Sequence, residues 1–266
     1  MKKRSNIKAL ILDMDGVLWH DRTPIGDLPA IFAHIRARGL KFAFATNNAS
    51  KTVDEFIEKL TGFGVQVQPW QIITSSLATA EALAKRFPAG GPVFVIGMRG
   101  IQQALAERGF TVITDPQDET RPLAVAAGID WNFSYAKLRR AALHIRAGAA
   151  FYGTNPDKTF PTPQGLAPGA GALLAALEAA TDTPPIVIGK PQPAMMHMAL
   201  ERLGTKPEET LVVGDRLETD IAAGKAAGCQ TALVLSGVAT REQAEGWKDA
   251  PDAVAEDLWG LVSGGW

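Results

Sequence analysis

Cysteine is almost absent from this sequence of 266 residues, in which Cys229 is the single example. One cysteine can form neither an internal disulfide nor a cysteine-based zinc cluster. We therefore expect a protein of a reducing compartment, the cytoplasm. The basic residues 1–4 resemble the start of a signal peptide, but the apolar run that follows covers only residues 9–12 before Asp13. Export is therefore not expected.

An excess of charge of one sign is also missing, because 27 Lys and Arg residues face 28 Asp and Glu residues. This balance gives no general attraction to nucleic acid or to an anionic membrane surface. A basic patch with interleaved aromatic residues is lacking as well. No apolar stretch approaches the roughly 20 residues that span a bilayer. We expect no nucleic-acid partner and no membrane association, so a local site has to hold any anionic ligand.

What the sequence does contain is an alternation of short apolar runs with helical patterns, which is typical of βαβ units. The pattern predicts an α/β fold with a parallel sheet. The clearest buried strands cover residues 7–12, 41–45, 185–188 and 210–213, and polar residues follow each of them. Ligands of open parallel sheets bind beyond the carboxyl ends of the strands. The four polar endings are therefore expected to meet at one site.

A second α/β rhythm lies between the second and third of these strands. It predicts strands at 93–96, 111–114, 123–127 and 149–152, and helices at 101–108, 135–147 and 169–180. Segments rich in Pro, Gly and Thr at 88–92 and 181–185 indicate linkers. We predict a core domain at 1–88 and 186–266 with an inserted domain at 89–185. An insertion beside a site at the strand ends suggests a lid that closes over the ligand.

Carboxylates follow two of the predicted core strands. Asp13 and Asp15 stand two residues apart, where like charges are unfavourable unless a proton or a cation separates them. A tight turn is the alternative, whereas an EF-hand loop is excluded because Val17 and Leu18 occupy its fifth and sixth positions. Asp215 follows another strand. Three such oxygen ligands match Mg²⁺ better than zinc, so we predict a magnesium site at Asp13, Asp15 and Asp215.

Other polar residues follow the remaining strands. The second strand ends in the run Thr46, Asn47 and Asn48. Their hydroxyl, amide and backbone N–H groups suit a phosphate cradle, with helix capping as the other interpretation. Lys190 would lie over the sheet edge, and a solvated lysine is the bland alternative. Asp220 precedes a helix predicted to start near Ile221 and could cap it.

In this order the elements resemble the motifs of haloacid dehalogenase-like phosphatases. The resemblance is to the class with a large α/β cap, which includes 4-nitrophenylphosphatases, pyridoxal phosphatases and phosphoglycolate phosphatases. The motifs that carry it lie at residues 13–19, 46–48, 133–135, 154–157, 189–191 and 214–220. Because they follow one another in the family's order, the resemblance extends over nearly the whole chain. It implies a Rossmann-like three-layer core with a parallel sheet, an inserted cap domain, Mg²⁺ as cofactor and a small phosphomonoester as substrate.

The resemblance also implies a role for each core residue. Asp13 would attack phosphorus and form an aspartyl-phosphate, while Asp15 would first protonate the leaving group and then activate water. Mg²⁺ would bind Asp13, the Asp15 carbonyl and Asp215, with Lys190 opposite. Asp220 would orient Lys190 or a metal-bound water. The residues expected to bind the phosphoryl oxygens are Thr46, Asn47, Asn48 and Lys190.

The cap is expected to select the substrate, with Trp131 and Asn155 as candidates to approach the leaving group. Phe160 stands where pyridoxal-phosphatase relatives carry a histidine, which argues against that substrate. Sugar phosphates, nucleotides and phosphoglycolate stay open, as does a homodimer through the cap. The alternative function is a phosphotransferase that uses the same intermediate. A degenerate phosphate-binding protein is disfavoured, because none of the core residues is lost.

Overall fold

The computed structural model describes residues 7–162 and 164–264, so the basic residues 1–4 lie outside the described part of the chain. The strands, in chain order, are β1 (Ala9–Leu12), β2 (Trp19–His20), β3 (Thr23–Pro24), β4 (Lys41–Thr46), β5 (Ile72–Thr74), β6 (Gly91–Ile96), β7 (Phe110–Ile113), β8 (Ala124–Ala127), β9 (Ala150–Gly153), β10 (Thr159–Thr162), β11 (Gly165–Pro168), β12 (Ile186–Val187), β13 (Thr210–Gly214), β14 (Gln230–Val234) and β15 (Ala253–Ala255). The α-helices are α1 (Leu28–Ala37), α2 (Val53–Gly62), α3 (Ser75–Arg86), α4 (Arg99–Glu107), α5 (Tyr135–Arg146), α6 (Ala170–Thr181), α7 (Ala194–Leu203), α8 (Ala222–Ala226), α9 (Arg241–Gly246) and α10 (Leu258–Gly264). Short 3-10 turns cover Pro69–Gln71 and Pro207–Glu209, and a π-helical turn covers Leu217–Ile221.

The chain forms two compact units. The first contains the described residues of Met1–Thr46, Asp54–Ile73 and Lys190–Trp266, and the second contains Asn47–Val53 and Thr74–Gly189. Helix α3 and β12 thus pack with the second unit. The predicted domains, core at 1–88 and 186–266 and insertion at 89–185, stay a prediction.

A six-stranded sheet forms the centre of the first unit, in the order β15, β14, β13, β1, β4, β5. The strand β1 pairs in parallel with β13 and with β4, so that Ala9 lies opposite both Thr210 and Lys41. All four side chains of β1 are buried, as expected for a central parallel strand covered on both faces. The predicted α/β class with a Rossmann-like core is confirmed. Because β1 and β13 are neighbours, the residues that follow them lie at one edge.

Local sequence explains how helices attach to this sheet. Asp27 accepts a hydrogen bond from the backbone N–H of Ala30 and caps α1, whose buried face includes Ile31, Phe32 and Ile35. The Phe32 ring lies 4.9 Å from that of Phe42 on β4. Burial of such a side chain contributes about 1.5–3 kcal/mol. Helix α7 packs on β1 and β4 of the same sheet.

The second unit has its own five-stranded sheet in the order β12, β9, β8, β6, β7, with parallel pairing between neighbours. A hairpin of β10 and β11 is antiparallel. Helices α5 and α6 cover the sheet through a core that includes Phe94, Val125, Ile145 and Leu177. The strands predicted between residues 93 and 152 therefore form, with ends that shift by at most two residues.

One predicted core strand was wrong in its placement. The run at 185–188 forms β12, but Ile186 pairs with Tyr152 and Val187 with Gly153, in the sheet of the second unit. Backbone N–H groups of Ile188 and Gly189 continue this ladder to Gly153 and Thr154. Hydrophobicity identifies a buried strand but does not say which of two parallel sheets it joins.

Among the described helices, none combines the length and the apolar character needed to cross a membrane.

Candidate active site

A buried lysine joins two carboxylates in the first unit. The Lys190 ammonium donates to Asp13 Oδ1 at 2.6 Å and to Asp220 Oδ1 at 2.5 Å. It also donates to the Ala45 carbonyl at the end of β4, at 2.9 Å. Only 3% of the Lys190 side chain is exposed. Three acceptors match the three donors of an ammonium group, which is how a buried charge is tolerated.

A third carboxylate completes this group. Asp215 follows β13 and accepts a hydrogen bond from the backbone N–H of Val238 at 2.9 Å. Asp13, Asp215 and Asp220 each offer a carboxylate oxygen, and these oxygens lie within 4.8 Å of one another. An all-oxygen donor set fits Mg²⁺, and it lacks the His or Cys ligands that zinc prefers. The residues present therefore fit the predicted cofactor, which the magnesium-bound relative described below supports.

Two glycines make room for the Asp215 side chain. A Cβ atom at Gly16 or at Gly237 would overlap the Asp215 carboxylate. Gly16 also has a positive φ of 83°, which favours glycine. Ser236 Oγ donates to the Gly16 carbonyl at 2.8 Å and ties the loop after β14 to the loop after β1. These two loops close directly around the carboxylate.

Asp220 lies inside a helical turn that runs directly into α8. The π-helical turn begins at Leu217, and Asp220 Oδ2 accepts a hydrogen bond from the backbone N–H of Arg216 at 3.1 Å. The interpretation of Asp220 as the cap of a helix near Ile221 was therefore wrong. The turn starts four residues earlier than the apolar pattern indicates, which carries Asp220 inward to Lys190. Such π turns occur often at functional sites.

Burial and mutual repulsion raise the proton affinity of Asp13 and Asp215. Burial, with the charge of Asp220, raises the pKa of Asp215 to about 7. Burial also raises the pKa of Asp13 well above its usual range, even though Lys190 opposes this. Burial by itself lowers the pKa of Lys190, but the charges of Asp13 and Asp220 outweigh it and the pKa is raised. Lys190 is therefore a permanent cation, and a divalent cation would compete with protons for the carboxylates.

Asp15 lies outside this carboxylate group. Its side chain is exposed, and Oδ1 accepts a hydrogen bond from Trp19 Nε1 at 2.7 Å. Asp15 and Trp19 also form an isolated backbone bridge. A spacing of four residues in a non-helical loop gives no signal in the sequence for this contact with Trp19. Participation of the Asp15 carbonyl in metal binding stays a prediction.

The residues predicted to cradle the phosphate fall in different units. Thr46 ends β4 in the first unit and is buried. In the second unit, Asn47 Nδ2 donates to Asp157 Oδ2 at 3.2 Å, and Asn155 Nδ2 donates to the Asn47 carbonyl at 2.7 Å. Asn48 Oδ1 accepts hydrogen bonds from the backbone and hydroxyl of Ser50. These bonds shape residues 47–53 locally, and the predicted substrate contacts stay predictions.

Trp131 is an exposed aromatic residue of the second unit, with 58% of its surface accessible. Its ring meets that of Phe160 edge-on, with 5.5 Å between centroids. The neighbouring Asp130 is buried, accepts from Lys137 Nζ at 2.7 Å and also accepts from the backbone N–H of Asn132. This ion pair fixes the loop that carries Trp131. The role of Trp131 at the leaving group stays a prediction, and nothing in the sequence indicated its anchor at Asp130.

Comparison with known proteins gives consistent matches. A family described as haloacid dehalogenase-like hydrolase matches residues 10–111, and one described as HAD-hydrolase-like matches residues 187–261. A 5'-nucleotidase of Bacillus subtilis is 37% identical over 251 residues, which cover 94% of this chain and 96% of the relative. A p-nitrophenyl phosphatase from Archaeoglobus fulgidus has a TM-score of 0.89 at 32% identity, covering 97% of this chain and 99% of that one. A glycerol phosphate phosphatase from Mycobacterium tuberculosis in complex with magnesium has a TM-score of 0.89 at 35% identity, covering 98% and 79% of the two chains.

Proposed function

We propose that this protein works through an aspartyl-phosphate on Asp13. The chain belongs to the haloacid dehalogenase-like hydrolases, and it is a phosphatase of phosphomonoesters with Mg²⁺ as its cofactor. The observation that carries the proposal is the arrangement of Asp13 beside the buried Lys190, with Asp215 and Asp220 adjacent. A nucleophilic carboxylate needs nearby positive charge before it can approach a phosphate dianion. Two like charges 4 Å apart repel by about 4 kcal/mol per charge pair at an effective dielectric constant of 20.

In the first step an oxygen of Asp13 attacks phosphorus and the bond from phosphorus to the leaving oxygen breaks. Asp15, in its acid form, gives its proton to that leaving oxygen. In the second step the Asp15 carboxylate takes a proton from water, whose oxygen attacks the aspartyl-phosphate. The bond between phosphorus and the Asp13 oxygen then breaks, which releases inorganic phosphate and restores Asp13.

The other core residues hold charge in place. Asp13, Asp215 and the Asp15 carbonyl would bind Mg²⁺, which supplies charge neutralisation for the phosphoryl group. Lys190 contributes a second positive charge from its buried position, and Asp220 keeps that ammonium oriented through their 2.5 Å contact. Hydrogen-bond donors for the phosphoryl oxygens would come from the predicted residues Thr46, Asn47 and Asn48.

Substrate choice belongs to the second unit in this proposal, with residues 89–185 acting as the cap. Trp131 and Asn155 stay the candidates to contact the leaving group. The named relatives act on a nucleotide, a nitrophenyl phosphate and glycerol phosphate, so we propose a small phosphomonoester without choosing among them. The proposal also places the protein in the cytoplasm, and a homodimer through the cap is the assembly to test.

The test is release of p-nitrophenol and of phosphate from p-nitrophenyl phosphate, with and without millimolar Mg²⁺. Wild type is compared with Asp13→Asn and with the control Asp249→Asn. The control alters an exposed carboxylate that is distant in sequence from all the residues of the candidate site. We expect Mg²⁺-dependent turnover that Asp13→Asn abolishes and Asp249→Asn retains. Full activity of Asp13→Asn would refute the proposal. Less phosphate than p-nitrophenol in the presence of an added alcohol would indicate the alternative, a phosphotransferase.

A further inference from the structure

We propose that Trp19 is a positioning residue that holds the Asp15 carboxylate in the orientation needed to protonate a poor leaving group. The inference rests on the proposed function, because it takes from it the role of Asp15 as proton donor. It goes beyond that function by assigning a task to a side chain that has no role in the proposed steps.

The hydrogen bond between the two residues has only one possible direction. An indole N–H is a donor without acceptor capacity, so Asp15 Oδ1 has to be the acceptor in the 2.7 Å contact with Trp19 Nε1. The carbonyl oxygen of a carboxylic acid accepts hydrogen bonds better than its hydroxyl oxygen, so this bond favours Oδ2 as the oxygen that carries a proton. The indole thus fixes the rotation of the carboxyl group. It also directs Oδ2, the oxygen that would carry the transferable proton, away from Trp19.

The indole can do this because it is itself held from the other side. Trp19 is 1% exposed, and Lys59 Nζ lies 4.0 Å from the centre of its ring, a cation–π distance. Lys59 also donates to the Asp21 carbonyl at 2.7 Å, and the Phe63 ring lies 5.8 Å from that of Trp19. Helix α2, which carries Lys59, therefore sets the angle of the ring independently of any ligand.

Asp15 has no comparable packing of its own, since its side chain is exposed. A carboxylate at the surface samples several staggered rotamers unless a partner selects one. The backbone brings that partner near, because the N–H of Gly16 donates to the Trp19 carbonyl at 2.8 Å and closes a tight turn. The rigid indole thus selects one rotamer of the exposed Asp15 side chain. Removing the indole N–H should let Asp15 sample other rotamers while leaving the fold intact.

The test uses Trp19→Phe, which keeps an aromatic ring beside Lys59 but removes the N–H donor. Its control is Trp70→Phe, a change of an exposed tryptophan in the same unit. We measure kcat/KM for p-nitrophenyl phosphate, whose phenolate leaves without protonation, and for glycerol phosphate, whose alkoxide requires it. This ratio reports only the steps through departure of the leaving group. We expect a loss of about 10- to 100-fold on glycerol phosphate, at most about 2-fold on p-nitrophenyl phosphate, and no change in the control.

Equal losses on both substrates would overturn the inference, because they would indicate only a general structural defect. An Asp15→Asn variant separates this failure from failure of the proposed function. If Asp15→Asn loses glycerol phosphate selectively and Trp19→Phe does not, the positioning role is refuted and the proposed function stands. If Asp15→Asn shows no dependence on the leaving group, the role of Asp15 as proton donor in the proposed function is refuted, and the inference falls with it.

A second readout needs neither activity nor metal. Wild-type protein labelled with ¹⁵N shows the Trp19 indole N–H in NMR spectra, assigned by its disappearance in Trp19→Phe. A bond to a carboxylate moves this proton resonance downfield. We expect Asp15→Ala to move the Trp19 signal upfield by more than any other of the six tryptophan indoles. An unchanged Trp19 signal would overturn the inference, whatever the fold of the Trp19 variant.

Discussion

Removal of the positive charge at residue 190 should destabilise the protein strongly. Lys190 Nζ lies 2.6 Å from Asp13 Oδ1 and 2.5 Å from Asp220 Oδ1. At an effective dielectric constant of 20, each attraction is worth about 6 kcal/mol, most of which offsets the cost of burying the charges. Lys190→Met keeps the apolar stem but leaves buried carboxylates without their counter-charge. Breaking a buried pair in this way costs about 3–5 kcal/mol, a large part of an ordinary free energy of unfolding.

The loss should depend on pH, with a sign that follows from the pKa shifts. In the wild-type protein, burial raises the pKa of Asp13 and of Asp215 even though the charge of Lys190 opposes the shift. Without the ammonium, both carboxyl groups should hold their protons more firmly. Protonation removes the uncompensated charge, so the destabilisation is smaller at pH 6 than at pH 8. The double variant Lys190→Met with Asp220→Asn removes one carboxylate as well, and it should recover part of the lost stability at pH 8 without recovering activity.

Urea unfolding at pH 6 and pH 8, followed by tryptophan fluorescence without divalent cations, measures these differences. Lys248→Met, which removes an exposed lysine, serves as the control and should unfold like wild type. An unfolding midpoint for Lys190→Met equal to that of wild type at pH 8 would refute the reasoning. It would mean that the ammonium contributes no more than a buried methionine in its place.

Other properties of the buried titratable groups lead to further predictions. Because burial raises the pKa of Asp215 to about 7, protons compete with Mg²⁺, and thermal-shift titrations should give an apparent affinity about tenfold weaker at pH 6 than at pH 8. Equal affinities would contradict this. Burial raises the pKa of Cys229 to about 11, so its thiol should react with a disulfide reagent at pH 8 about 100-fold more slowly in native than in urea-unfolded protein. Similar rates would contradict the burial. Among the described residues, His144 is buried and its Nε2 has no hydrogen-bond partner, and burial lowers its pKa. The unfolded chain therefore binds the proton more readily, and stability is lost as pH falls below about 6.5. His144→Leu should raise the unfolding free energy by about 1–2 kcal/mol and reduce this acid sensitivity in urea titrations. An unchanged pH dependence would show that His144 is not a cause of the acid sensitivity.

Much of the fold was predictable because strands of parallel sheets carry a strong local signal. The apolar runs that became β1, β4 and β13 are short, and each ends in polar residues. The α/β class follows from this pattern, whereas the family and the type of enzyme follow from the resemblance of the motifs to a known family, and all three are confirmed. The placement of β12 could not be read in the same way, because Ile186 and Val187 are compatible with either sheet. Only the pairing with Tyr152 and Gly153 decides, and it depends on residues more than thirty positions away.

The candidate site shows the same division between local and distant information. Neighbouring β1 and β13 bring Asp13 and Asp215 to one edge, as the rule for parallel sheets predicts. Trp19 and its support by Lys59 were beyond prediction, because a ring held between a helix and a loop has no periodic pattern. The alternative of Asp220 as a helix cap was wrong, because the π turn already begins at Leu217, and the role of Asp220 in orienting Lys190 stays a prediction.

The charges of the site explain why Asp220 belongs to it although it lies away from the reacting atoms in the proposed mechanism. If all three carboxylates were ionised, they and the ammonium would sum to a charge of −2, which one divalent cation cancels and one monovalent cation does not. Without Asp220 the same cation would leave the site positive and Lys190 with one buried acceptor fewer. Its ammonium would then turn fully toward Asp13 and weaken that nucleophile. In the proposed mechanism, Asp220 would share the proton donors of Lys190 and so keep Asp13 able to attack.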